Sequence, residues 1–221
     1  MTLVDYAVDA ELPDFLVTDD EVAAPRTVHP RKAPGTHHTP GEPGLWIFIL
    51  GDMTLFGALL IALMWENRQF STAFQSSAAQ LNRPIGAVNT LVLLFSSYLV
   101  VAATWAQRRD DYRRARRSVH GALACGVVFV ALKTVEYTQA IAAGHTPTSN
   151  LFFTMYYVLT GLHLSHVLIG AVLLVVWRIS LRRFRFFTPS AQLTEGIAVY
   201  WHMVDLLWVL IFPLVYLVCA A

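Results

Sequence analysis

Five apolar stretches, each long enough to cross a bilayer, constrain the fold of this 221-residue chain more than any other feature. A spanning helix needs about 20 mostly apolar residues. The stretches are Leu45–Trp65, Ile85–Ala106, Val119–Ala142, Leu151–Trp177 and Gly196–Cys219. The segments between them are short, and Gly144, Pro147 and Asn150 punctuate the third turn. The expectation is an all-α integral membrane bundle of five transmembrane helices over residues 44–221. Composition agrees, with 56 % hydrophobic and only 14 % charged residues. A soluble domain carries about 25 % charged residues.

The first 43 residues differ in kind. They open acidic, from Asp5 to Glu21, and then turn basic and proline-rich around Arg26, Arg31 and Lys32. They lack the basic start and apolar core of a secretory signal. Such a composition reads as a disordered tail on the cytoplasmic side. Its histidines, His29, His37 and His38, have no flanking ligands that would make a metal site.

Positive charge orients the spans. Arg108, Arg109, Arg113, Arg114, Arg116 and Arg117 fall in the second connection, and Arg178, Arg182, Arg183 and Arg185 in the fourth. With the tail, these lie on one side of a five-span protein. The other side carries only Arg68 and Arg83. The positive-inside rule then puts the N-terminus in the cytoplasm and the C-terminus outside. Net charge is +1, so no global field points to nucleic acid. Trp46, Trp65, Trp105, Trp177 and Trp201 sit near span ends, as interfacial anchors do. Cys125 and Cys219 lie in apolar runs and read as small buried hydrophobes rather than a disulfide or zinc pair.

The polar groups inside these spans are the candidate site. A carboxylate deep in hydrocarbon costs roughly 2.5–3.5 kcal/mol on insertion scales, so it persists only with a partner. His202 and Asp205 are three apart in the last span, and His163 and His166 three apart in the fourth. Residues at that spacing share a helix face. At 1.5 Å per residue, Asp52 lies roughly 10 Å into the first span, His202 at a similar depth in the last, and His166 about 16 Å from the inner end of the fourth. Asp52, His166, His202 and Asp205 are therefore expected to meet in the inner half. Lys133 and Glu136 form a separate pair in the third span, nearer the outside. Leu207 reads as an exposed-face position of the last helix.

Three readings compete for this network. Interhelical hydrogen bonds can fix the packing, at about 0.6 kcal/mol each in membranes. Asp52 and its neighbours can serve a proton-linked or lipid-contacting role. Histidine can ligate heme or metal, but His163 and His166 share one helix face and cannot supply both axial ligands of one heme. Gly51 and Gly57 flank Asp52, Gly161 and Gly170 flank the histidines, and Asn89, Thr90, Ser96 and Ser97 stripe the second span. All suit close helix contact. Pro213 is expected to kink the last helix and free a carbonyl that a neighbour must satisfy.

Four segments carry a resemblance. YWHMVDLLWVLIFPLVYL resembles the final helix of subunit III of heme–copper respiratory oxidases, with its Y-W-H-F-V-D-x-x-W pattern. TGLHLSHVLIG, LKTVEYTQ and NTLVLLFSS are similar to three further helices of that family, in the same order, between Leu45 and Leu217. Many family members have seven helices and a membrane glutamate; here there are five spans, with Asp52 in the glutamate's place. The start PGEPGLWIFILGD is also similar to the E-type accessory subunit of nitric oxide reductases. The resemblance implies a subunit of the bacterial plasma membrane with no cofactor or catalytic centre of its own. Its partners would be subunits I and II, which hold the heme and copper, together with structural lipids in a cleft. It would support assembly stability and proton uptake in respiration, with oxygen or nitric oxide as terminal acceptor. Asp52, Glu136, His163, His166, His202 and Asp205 carry over as network or proton-surface residues. An independent proton-linked transporter or channel is the alternative from another class.

Overall fold

The computed structural model describes residues 43–181 and 191–219. The tail up to residue 42, with Arg26, Arg31, Lys32 and its three histidines, lies outside the described residues, as do Arg182, Arg183 and Arg185. The described chain is helical and contains no strand. Its elements are α1 (Pro43–Gln69), α2 (Ser71–Ala78), α3 (Arg83–Arg108), α4 (Tyr112–Ala142), α5 (Leu151–Ser180), α6 (Ala191–Phe212) and a π-helical turn, Pro213–Val218. Helices α1, α3, α4 and α5, and α6 with the π turn, give five segments long and apolar enough to cross a membrane.

Capping chemistry sets several helix ends beyond the apolar runs. Asp111 accepts the Arg114 N–H at 3.0 Å, so α4 begins about two turns before Val119. Arg113, Arg114, Arg116 and Arg117 thus belong to a helix, not to a loop. The turn proper holds Asp110 at φ 60°, a left-handed conformation that aspartate tolerates better than most residues. Asn82 caps α3 through the Ile85 N–H at 3.3 Å. Gly144, at φ 85°, ends α4 in the left-handed conformation that glycine adopts without a Cβ penalty.

The short helix α2 was not expected. Its Phe74 packs edge-on against Phe152 at 5.4 Å, and Asn150 ties it to α5. Asn150 accepts the Phe153 N–H at 2.9 Å, and its amide donates to Ser77 at 2.9 Å. One side chain thus caps α5 and holds α2. Asn150→Ala is expected to cost about 1–2 kcal/mol. Thermal unfolding in detergent measures it, and an unchanged midpoint would show that the cap contributes nothing.

Helices α3 and α4 form a long antiparallel hairpin. Helix α6 packs on α3, α5 and α1, which places it at the centre. Half of its most apolar stretch is buried (50 %), against 22 % for α1 at the edge. Burial around α6 overturns two expected interfacial anchors. Trp177 and Trp201 are fully buried, and each indole N–H has a partner within the bundle. Trp177 donates to Gln107 at 2.8 Å and Trp201 to Ser96 at 3.1 Å. Trp46, Trp65 and Trp105 remain exposed. Leu207, expected to face outward, is also buried; Leu206 is the exposed neighbour.

The glycines divide in the same way. A Cβ on Gly51, Gly57 or Gly161 would meet nothing within 4 Å, so these do not mark close contacts within the chain. Gly170 does, with the Trp201 ring 2.7 Å from a built Cβ, and so does Gly86 against Phe212 at 2.7 Å. Past Phe212, Pro213 supplies no N–H to the helical ladder. The backbone widens into the π turn, with the Cys219 N–H bonded to the Leu214 carbonyl at 3.1 Å.

Candidate functional site

The intramembrane polar residues form separate groups, each set by what its helix packs against. Lys133 and Glu136 on α4 are buried, with Nζ 3.2 Å from Oε2. Two tyrosines complete the site. Nζ also donates to the Tyr156 hydroxyl at 3.1 Å and to the Tyr216 hydroxyl at 2.9 Å. Both hydroxyls in turn donate to Glu136 Oε1, Tyr156 at 3.0 Å. Four rings surround the ammonium at 5.0–5.5 Å: Tyr137, Tyr156, Trp208 and Tyr216. A buried ammonium is stable only when its donors and charge are answered. Here α4, α5 and the π turn all contribute, so the cluster ties three elements together. The π turn delivers Tyr216. Neither tyrosine was singled out from sequence, although a phenol at lipid depth needs a partner for its O–H.

Asp52 of α1 and His166 of α5 form the second group. His166 Nε2 lies 3.0 Å from Asp52 Oδ2. Its Nδ1 lies 2.8 Å from the Leu162 carbonyl, which can only accept, so Nδ1 carries a proton. Nε2 and Oδ2 thus stand at ion-pair distance between two helices, in an alignment that leaves Oδ2 without a hydrogen bond among the described residues. Phe56 packs edge-on against the imidazole at 5.5 Å. Tyr200 of α6 donates to the His166 carbonyl at 3.3 Å.

His163 lies elsewhere. Its ring packs against Phe129 at 5.7 Å and Trp208 at 5.2 Å. Both of its nitrogens are buried with no hydrogen-bond partner among the described residues. Positions three apart are offset by about 60° around a helix axis. On α5 that offset sends His166 toward α1 and His163 toward α4 and α6.

His202 of α6 bonds Ser97 of α3 through Nδ1 at 2.7 Å. Asp205, one turn on, is buried beside the same Ser97 side chain, outside the geometry of a good hydrogen bond. The expected meeting of Asp52, His166, His202 and Asp205 therefore divides in two. Helix α6 lies between α3 and α5, so its His202 face turns to α3 while Asp52 pairs with α5. Asn89, on the α3 stripe, is fully buried with neither amide atom paired among the described residues. No group of three or more His, Cys, Asp or Glu among the described residues is placed to hold a metal ion.

A helical bundle with five segments long and apolar enough to cross a membrane, stitched by buried polar groups, is the class of a multi-pass membrane protein. The family profile described as cytochrome c oxidase subunit III matches residues 40–220. The cytochrome c oxidase subunit 3 of Thermostichus vulcanus is 31 % identical over 179 residues, covering 79 % of this chain and 85 % of that protein. A probable quinol oxidase subunit 3 of Staphylococcus aureus is 29 % identical over 175 residues, covering 79 % and 87 %. The chain belongs to the cytochrome c oxidase subunit III family. It is accordingly a non-catalytic membrane subunit of a heme–copper oxidase.

Proposed function

We propose that this chain is the third subunit of an oxygen-reducing respiratory oxidase, docked beside the catalytic subunit in the bacterial plasma membrane. It braces that subunit, contacts structural lipids and supports proton uptake. Oxygen is preferred over nitric oxide as acceptor because both relatives compared bear oxidase names. The arginine-bearing end of the bundle, with Arg108, Arg113 and Arg178, is the cytoplasmic one by the positive-inside rule. The close approach of the Asp52 carboxyl to the His166 imidazole, on two different helices, carries the proton-uptake part of the reading. Both side chains are about a tenth exposed, at 11 % and 9 %. Histidine and carboxylate are the residue types that proton transfer uses most often.

Asp52→Asn keeps the size of the side chain and removes its charge. The purified oxidase carrying it is expected to retain its heme content and initial rate but to lose activity several-fold faster during sustained turnover. Oxygen consumption followed over many turnovers tests this. Decay at the wild-type rate would remove Asp52 from proton supply.

A further inference from the structure

The turns of α4 that precede its apolar run carry arginine along one side. At about 100° per residue, Arg113, Arg116, Arg117 and His120 fall within an arc of about 100°. All four are exposed. Ala115, Val119 and Ala122 occupy the opposite side and are buried. The row therefore faces away from the bundle. It rises about 10 Å along the helix axis and ends as the apolar run begins.

The row stands at the membrane boundary. The Ser96 hydroxyl bonds the Ala122 carbonyl at 3.2 Å, which sets the register of the α3–α4 hairpin and puts Trp105 level with Arg113. Trp105 is exposed, with the Arg109 guanidinium 3.6 Å from its ring centroid. Exposed tryptophans at span ends mark the level of the lipid headgroups. Further along α4 the same side continues in Val127 and Val128, both exposed and apolar. Cationic and hydrocarbon-facing surface are thus continuous on one helix.

The positive charge of the row is unanswered. Arg113, Arg116 and Arg117 have no carboxylate partner among the described residues. The two acids of the preceding turn are engaged elsewhere. Asp110 accepts the Tyr112 hydroxyl at 2.9 Å, and Asp111 accepts the Arg114 N–H at 3.0 Å. A second helix joins the row through Arg178 of α5, whose Nε donates to His120 Nδ1 at 3.1 Å.

We infer that this row binds the phosphate of an anionic phospholipid, whose acyl chains lie on the apolar side of α4 beyond it. Guanidinium groups take phosphate oxygens bidentately, and a basic cluster beside a span end suits an anionic headgroup. A zwitterionic headgroup brings its own cation and gains less from four uncompensated positive charges. Arginine at this end also orients the spans, but orientation depends on how many charges there are, not on their sharing one side of a helix. The inference gives the lipid contacts of the proposed function a chemical class and a place. It uses only the membrane spans and holds whichever complex the chain serves.

The chain, extracted in its native assembly with mild detergent and stripped of lipid, is titrated with phosphatidylglycerol, phosphatidylcholine or inorganic phosphate. Native mass spectrometry of the released subunit counts bound lipid. Phosphatidylglycerol is expected to bind several-fold more tightly than phosphatidylcholine and to resist competition by phosphate. Arg113→Gln with Arg117→Gln should weaken phosphatidylglycerol binding by about thirtyfold, at roughly fivefold for each arginine near a membrane surface. Arg109→Gln with Arg114→Gln removes the same charge off the row and should lose little. Arg113→Lys with Arg117→Lys keeps the charge and the orientation of the spans, and should retain most of the binding. Equal loss from the two glutamine pairs would replace the site by a diffuse field and overturn the inference. Equal binding of the two lipids, or displacement of phosphatidylglycerol by phosphate, would do the same. So would lipid binding that emerges only after another protein of the assembly is removed, because that protein would then be what covers the row.

Discussion

Glu136→Leu is expected to cost the bundle about 3–5 kcal/mol, the penalty for leaving a buried charge without its counter-ion. Lys133 would keep two tyrosine hydroxyls and four aromatic faces, but no carboxylate. Removing the acid also strips both tyrosines of their acceptor. The loss should fall on the contacts of the π turn with α4 and α5, where Tyr216 is anchored. Chemical unfolding in detergent, or the folded yield of subunit per cell, reads the effect. The companion variant Lys133→Met/Glu136→Leu decides the cause. Replacing a buried ion pair by apolar residues of similar volume is often close to neutral. The two hydroxyls already lie 3.4 Å apart and can bond one another. The double variant should therefore recover more than about half of the loss. If it is as unstable as Glu136→Leu alone, the charge is not what makes Glu136 necessary, and the packing of its side chain is.

How much of this cluster could be read from the chain alone follows from the range of its contacts. The Lys133–Glu136 pair is local, since spacing of three on a helix suffices to bring the side chains together. Tyr156 and Tyr216 come from other elements, and Tyr216 points inward because the π turn after Pro213 rotates it there. No local pattern encodes that rotation. The same limit explains His163 and His166. Their spacing announces a common face, but the buried face of α5 is broad enough to touch α1 on one flank and α4 and α6 on the other. The five spans themselves were readable because burial in lipid demands long apolar runs, whatever packs against them. Their ends were less so. Asp111 and Asn150 extend or fix helices through caps outside the apolar runs, and α2 is too short to announce itself by hydropathy. Trp177 and Trp201 look like interfacial anchors from position alone. Whether an indole sits at an interface or in a core depends on neighbours such as Gln107 and Ser96, which are far away in the chain.

Trp201 also defines the second large effect. Gly170→Val is expected to cost about 3 kcal/mol, the upper end for overpacking a core. A Cβ on residue 170 would stand 2.7 Å from Cε3 and 2.9 Å from Cζ3 of the indole. The ring cannot retreat from α5, because Gly126 of α4 faces its far edge and a Cβ there would already be 3.3 Å away. It cannot slide along the groove either, since its N–H is bonded to Ser96 at 3.1 Å, and Ser96 to the Ala122 carbonyl at 3.2 Å. Three helices thus clamp one rigid side chain, and the added methyls must push α5 off α6. That separation would also disturb the Tyr200 contact to the His166 carbonyl and so the mounting of the Asp52 pair. Gly126→Ala should cost less, and Gly161→Ala, where space is open, close to nothing. Unfolding midpoints of the three variants measured side by side give the order directly. Trp201→Phe, which shortens the ring, should relieve much of the Gly170→Val loss and leave Gly161→Ala unchanged. An equal cost for the valine in the Trp201→Phe background would mean that the clash is not with the indole, and that the clamp around Trp201 does not set the α5–α6 spacing.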